Sequence, residues 1–104
     1  MIQATFFRRN SVRKGFSIKG HAGFADAGAD IVCASVTSAM QLTANGVTEI
    51  LKHPAQVDVF ENEVSLRLTK PDRQAEAFLD ALYLQLSLLA EDYPKNIKLS
   101  DLEV

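Results

Sequence analysis

Apolar and polar residues alternate from the second position onward. Ile2, Ala4 and Phe6 fall on one side and Gln3, Thr5 and Phe7 on the other, which predicts a strand over residues 2–8. A second alternation, with Phe16 and Ile18 turned inward, predicts a strand from about Gly15 to Gly20. Arg9-Asn10-Ser11 supplies turn chemistry between them, so an antiparallel hairpin is the simplest connection. From Asp30 the period lengthens: Val32, Val36, Ala39, Met40, Thr43, Val47, Ile50 and Leu51 recur at helical spacing, and Asp30 suits the N-cap. Pro54 ends this helix near Lys52 or His53, because the residue before a proline avoids helical geometry. Gly46 costs the helix about 1 kcal/mol against alanine and marks either a close approach or a kink. His53 reads as a partner of the helix dipole.

Val57 and Val59, then Val64, Leu66 and Leu68, alternate around Glu61-Asn62-Glu63 and predict a second hairpin. Its other face carries Asp58, Glu63, Ser65, Arg67 and Thr69 and is expected to meet water. Thr69-Lys70-Pro71-Asp72 reads as a helix start with a capping hydroxyl, a proline in the first turn and an acid at the positive end of the dipole. The segment that follows is ambiguous locally, since Leu82, Leu84, Leu86 and Leu88 alternate like a strand. Its length and its richness in Ala, Leu, Gln and Glu decide for a helix. Ala75, Phe78, Leu79, Leu82, Leu86 and Leu89 then form the stripe that covers the sheet, leaving Tyr83, Leu84 and Leu88 outside it. That apolar surplus points to a second subunit. Pro94 and Asn96 close the helix, and Ile97 and Leu99 begin a last strand. The order ββαββαβ implies an α/β (α+β) two-layer sandwich, a mixed sheet with both helices on one face. Two helices to five strands exclude a doubly wound nucleotide fold, and no GxGxxG or Walker-type loop is present.

Composition narrows this further. A chain of 104 residues with 47% apolar content supports a single domain, residues 1–104, whose thin core a dimer would help. Arg8, Arg9, Arg13 and Lys14 gather at the first hairpin's turn, but the net charge is −2 and no aromatic ladder accompanies them. They read as a solvated tip, and no direct nucleic-acid binding is expected. The single cysteine excludes an internal disulfide, and no His-Cys cluster has zinc spacing, so neither metal nor cofactor is expected. The start lacks the basic and apolar regions of a signal peptide, and no apolar run reaches the ~18 residues of a membrane span. A reducing cytoplasm is the expected compartment, where a thiol stays free, and no membrane is involved.

The candidate chemistry lies between Gly20 and Met40. Gly20, Gly23 and Gly28 suggest a functional loop over residues 20–29, with His21 at its mouth and Cys33 in the first turn of the helix beyond it. Unsatisfied amides at a helix start favour thiolate and could hold an oxyanion. An imidazole that takes the thiol proton would complete a Cys-His pair, with Asp30 or Asp26 to orient the ring. The residue types leave the plainer alternative open, a small buried cysteine and a solvated histidine.

The run Gly20-His21-Ala22-Gly23, then Gly28 and Asp30-Ile31-Val32-Cys33-Ala34-Ser35-Val36, resembles the motif of the bacterial ribosomal-processing cysteine protease family known as Prp. The resemblance implies that His21 and Cys33 are the catalytic pair. It further implies a substrate, the precursor of a large-subunit ribosomal protein whose short N-terminal extension is removed after an aromatic residue, and a homodimer. Thr37 stands near the cysteine where the family carries serine, and Ser35 where alanine is common; both keep the site small and polar. Gly20, Gly23, Phe24 and Gly28 would belong to a substrate loop, with Phe24 either against a substrate aromatic or anchoring the loop. The alternative from another class is a noncatalytic ribosome- or RNA-associated binding module that uses the Arg8 to Lys14 tip.

Overall fold

The computed structural model describes the backbone of residues 1–20 and 27–104, and the side chains of 1–20 and 31–104. The strands are β1 (Ile2–Arg9), β2 (Val12–Lys19), β3 (Ala55–Phe60), β4 (Glu63–Leu68) and β5 (Ile97–Glu103). The helices are α1 (Ala27–Asn45), continued by a π-helical segment Gly46–Ile50, and α2 (Arg73–Asp92). The sheet order is β3-β4-β2-β1-β5, with β5 parallel to β1 and the other pairs antiparallel. Ile2, Ala4, Phe6, Phe16, Ile18 and Leu66 share one sheet face and pack against Val32 and Val36 of α1 and Leu79, Leu82 and Leu86 of α2. Both helices therefore lie on that face of a mixed sheet, in the ββαββαβ order that the periodicity predicts.

The first hairpin is tighter than its sequence suggests. Asn10 and Ser11 both take left-handed φ, 52° and 69°, and form a two-residue turn whose twist matches that of the flanking strands. Partners then run in register until Phe7 faces Gly15 and Arg8 faces Arg13, leaving Lys14 as an extra residue in the ladder. Such a bulge breaks the two-residue alternation, so neighbouring side chains can reach the same side. Arg13 Nη1 lies 3.0 Å from Asp80 Oδ1, with its guanidinium 3.7 Å over the Tyr83 ring, and Lys14 Nζ lies 2.7 Å from Glu76 Oε2. Two of the four cations expected at a solvated tip are thus clamped to α2. Tyr83, expected outside the core stripe, also stands edge-on to Phe6 at 5.1 Å between ring centres.

α1 starts at Ala27, three residues before the predicted cap, so Asp30 is a first-turn residue and Cys33 belongs to the second turn. Ala27 and Ala29 favour helix enough to carry Gly28 with them. At the other end, a Cβ on Gly46 would stand within 2.5 Å of the Phe78 ring, so this glycine marks a close approach of the two helices. Helical geometry ends at Leu51, and Lys52 turns left-handed with φ 52°. His53 consequently leaves the helix dipole: its Nδ1 lies 3.3 Å from Asp72 Oδ2 and its Nε2 2.8 Å from the Lys70 carbonyl oxygen. The N-cap of α2 is Asp72, whose carboxylate accepts the Gln74 N–H at 3.2 Å. Thr69, expected to cap, instead donates its hydroxyl to the Pro54 carbonyl oxygen at 3.0 Å. On β3, the edge strand, Val57 and Val59 stay 41% and 72% exposed despite sharing the apolar face with Leu66 and Val64. Among the described residues, no helix is long and apolar enough to cross a membrane.

Candidate active site

β2 ends on the inner side of the β3–β4 turn because β4, not β3, is its neighbour in the sheet. There the Gly20 N–H donates to the Asn62 carbonyl oxygen at 3.1 Å, fastening the strand end to the turn. Gly20 takes φ +97°, and a Cβ at this position would collide with the Met1 carbonyl oxygen, so a glycine is required where the chain leaves the sheet.

α1 passes over this end of the sheet. Val32 and Val36 are its buried apolar residues among those described, and helical spacing places Cys33, Val36, Thr37 and Met40 along one flank. That flank and the β3–β4 turn enclose a groove of about 190 Å³. Its walls are Ile2, Ile18, Val36, Met40 and Val64, and Cys33, Gly20, Thr37 and residues 60–63 complete the lining. Cys33 is half-buried and its thiol is free. Helical side chains lean toward the N-terminus, so the thiol sits over the turn that precedes it although its own amide is inside the helix. Glu63, at the far side of the turn, accepts a hydrogen bond from the Ser17 hydroxyl on the sheet face away from the helices, which ties the end of the turn to β2.

The expected site residues divide. Cys33, Thr37 and Gly20 line one groove. Ser35 does not join them: two residues from Cys33 on a helix, it faces the cleft between α1 and α2 with Ser38 and Phe78. Gly28 belongs to α1 and not to a loop. His21, Gly23, Phe24 and Asp26 lie outside the described residues, as does the Asp30 side chain. The sequence missed Glu61, Asn62 and Glu63, which its periodicity marks only as a turn. Nothing local signals that this turn meets the end of β2, since that follows from the strand order.

The profile of the family described as cysteine protease Prp matches residues 1–98. The ribosomal processing cysteine protease Prp of Bacillus subtilis is 29% identical over 110 residues, covering 96% of each chain. Its namesake in Mycoplasma pneumoniae is 37% identical over 82 residues, covering 79% of this chain and 81% of that one. The crystal structure of SMU.848 from Streptococcus mutans superposes with a TM-score of 0.85 at 28% identity, covering 100% of this chain and 96% of that one. The ribosomal processing protease Prp from S. aureus, crystallised with a substrate peptide, has the same fold, with a TM-score of 0.89 at 19% identity over 98% of this chain and 100% of that one. By sequence over almost its whole length and by fold over all of it, the chain belongs to the Prp family of cysteine proteases.

Proposed function

We propose that this chain is a single catalytic domain that removes the short N-terminal extension of a large-subunit ribosomal protein precursor, cutting after an aromatic residue. The observation that carries this reading is the shared groove: Cys33 lines it, and Gly20, from which the chain continues to His21, lines it too. His21 takes the proton from the Cys33 thiol, and the thiolate attacks the scissile carbonyl. The tetrahedral oxyanion is held by free amides in the first turn of α1, toward which the thiol leans. His21 then returns the proton to the leaving amine, and water attacks the thioester to release the acid and restore the thiol. Asp30 orients the imidazole. The loop bearing Gly23 and Phe24 closes on the peptide, and Thr37 contributes a hydroxyl beside the groove. The S. aureus relative, captured both with a substrate peptide and with a covalently linked product peptide, supports a peptide substrate and a covalent route. A free thiol of this kind suits a reducing cytoplasm. A second copy of the chain covers the exposed leucines of α2.

Cleavage of a peptide spanning the precursor junction tests the assignment. Cys33→Ala and His21→Ala should each lower kcat/KM by about a thousandfold or more, as expected for removing a nucleophile or its base. Wild-type cleavage by either variant would refute it.

A further inference from the structure

Of the four cations at the first hairpin, Arg9 alone has no ion-pair partner among the described residues, and it meets other cations from a distant part of the chain. β2 continues through residues 12–14 after its pairing with β4 stops at Gly15 and Arg67, while β4 ends at Leu68 and the chain turns away through Thr69, Lys70 and Pro71. The notch between them has a volume of about 450 Å³, within the usual range of small-molecule sites. Arg9, Lys14, Arg67 and Lys70 line it around an apolar floor that includes Phe7 and Leu68; no Asp or Glu lines it among the described residues, and the nearby Glu103 carboxylate is engaged with the Asn10 N–H at 3.0 Å. Lys14 is neutralised by Glu76, whereas Arg9, Arg67 and Lys70 have no ion-pair partner among the described residues.

This is more than a loose gathering of charge. The Arg67 guanidinium is held 4.1 Å over the Phe7 ring. Phe7, Gly15 and Arg67 stand in one row across three strands, and the missing side chain at Gly15 opens the path between the other two. A Cβ at Gly15 would collide with the Leu66 carbonyl oxygen, so that opening is built into the sheet. Arg9 follows Phe7 by two residues on β1, which puts it about 7 Å farther along the same face. Two guanidiniums and an ammonium thus surround one opening.

We propose that this notch binds a phosphate group. A guanidinium fork matches phosphate oxygens bidentately, and a cluster of three free cations suits a multiply charged anion better than a single carboxylate. Because Arg67 covers the Phe7 ring, no base can stack there, so the phosphate is recognised and the base is not. The phosphate comes either from a small phosphorylated molecule or from a nucleic-acid backbone. The notch lies at the β1–β2 turn, the opposite end of β2 from the Cys33 groove, and does not depend on the protease mechanism.

Binding of a labelled single-stranded oligoribonucleotide and of inorganic pyrophosphate to the full chain tests this. Wild type should bind at least one probe, and which one identifies the source. The Arg9→Gln/Lys70→Gln variant, which keeps the Arg67 stack, should bind that probe about tenfold or more weakly with an unchanged melting temperature. If the oligonucleotide is the ligand, three phosphate contacts predict an affinity loss of about 20-fold between 50 and 200 mM salt. Failure of wild type to bind either probe, or equal binding by the variant, would overturn the proposal.

Discussion

Gly20 joins the fold to the proposed chemistry. Its backbone is left-handed, the Asn62 carbonyl holds its amide, and the Met1 carbonyl occupies the space a side chain would need. In Gly20→Ala the left-handed strain, about 1–2 kcal/mol, adds to the cost of forcing an atom into a packed corner, about 1–3 kcal/mol. The variant should therefore lose about 2–5 kcal/mol of stability, read from its denaturant midpoint. Its backbone must also shift where residue 21 begins. Cleavage per folded molecule should consequently fall by about tenfold or more, because a displacement near 1 Å is costly to a catalytic pair. A stability loss with undiminished cleavage per folded molecule would separate Gly20 from the site. Cys33 is legible from its residue type and its resemblance to a motif. The Gly20–Asn62 contact is not, because it joins residues that only the sheet order makes neighbours.

α2 shows what a helix stripe conveys and what it leaves out. Ala75, Leu79, Leu82 and Leu86 are fully buried, and Leu84 and Leu88 remain 60% and 48% exposed, as the period of 3.6 predicts. Leu82→Ala should cost about 2–5 kcal/mol by opening a cavity in the core. Leu84→Ala should change the stability of an isolated chain by no more than about 0.5 kcal/mol. If a second copy covers this surface, Leu84→Glu should turn a sedimenting dimer into a monomer without unfolding it, and an unchanged mass would place the interface elsewhere. Three details of this helix escape its own pattern. Tyr83 is drawn toward the core because the bulge opposite Phe7 and Arg8 brings Arg13 over its ring. The cap falls on Asp72 because Thr69 is already engaged with Pro54. His53 is drawn to the same helix start by Asp72 and the Lys70 carbonyl. Each depends on a partner from another element, and alternation within one segment carries no information about such partners.

On the scale of the whole molecule, one helix layer is fastened to the sheet by charge as well as by its core. Lys14–Glu76 and Arg13–Asp80 link the β1–β2 hairpin to α2 across the layers. The hydrogen bond from the Lys14 ammonium is the main reason that the Glu76 carboxyl is held below its ordinary value; the Asp72 N–H and the charges of Lys14 and Arg73 help, against the desolvation that opposes them. A carboxyl whose folded pKa lies below its unfolded one stabilises the fold above the unfolded value and loses that contribution as pH falls through the folded value. Glu76→Gln, which keeps the shape and removes the charge, should therefore be less stable than wild type near neutral pH. The gap between their denaturation midpoints should narrow as the solution is acidified through the carboxylate range and close once Glu76 is protonated in both states. A gap that stays constant from neutral pH into strong acid would mean that the amide fails for reasons of packing, and that the charge of Lys14 does not hold the hairpin to the helix. Salt provides the second reading: a pair this near the surface is screened, so added salt at neutral pH should narrow the gap in the same direction as acid.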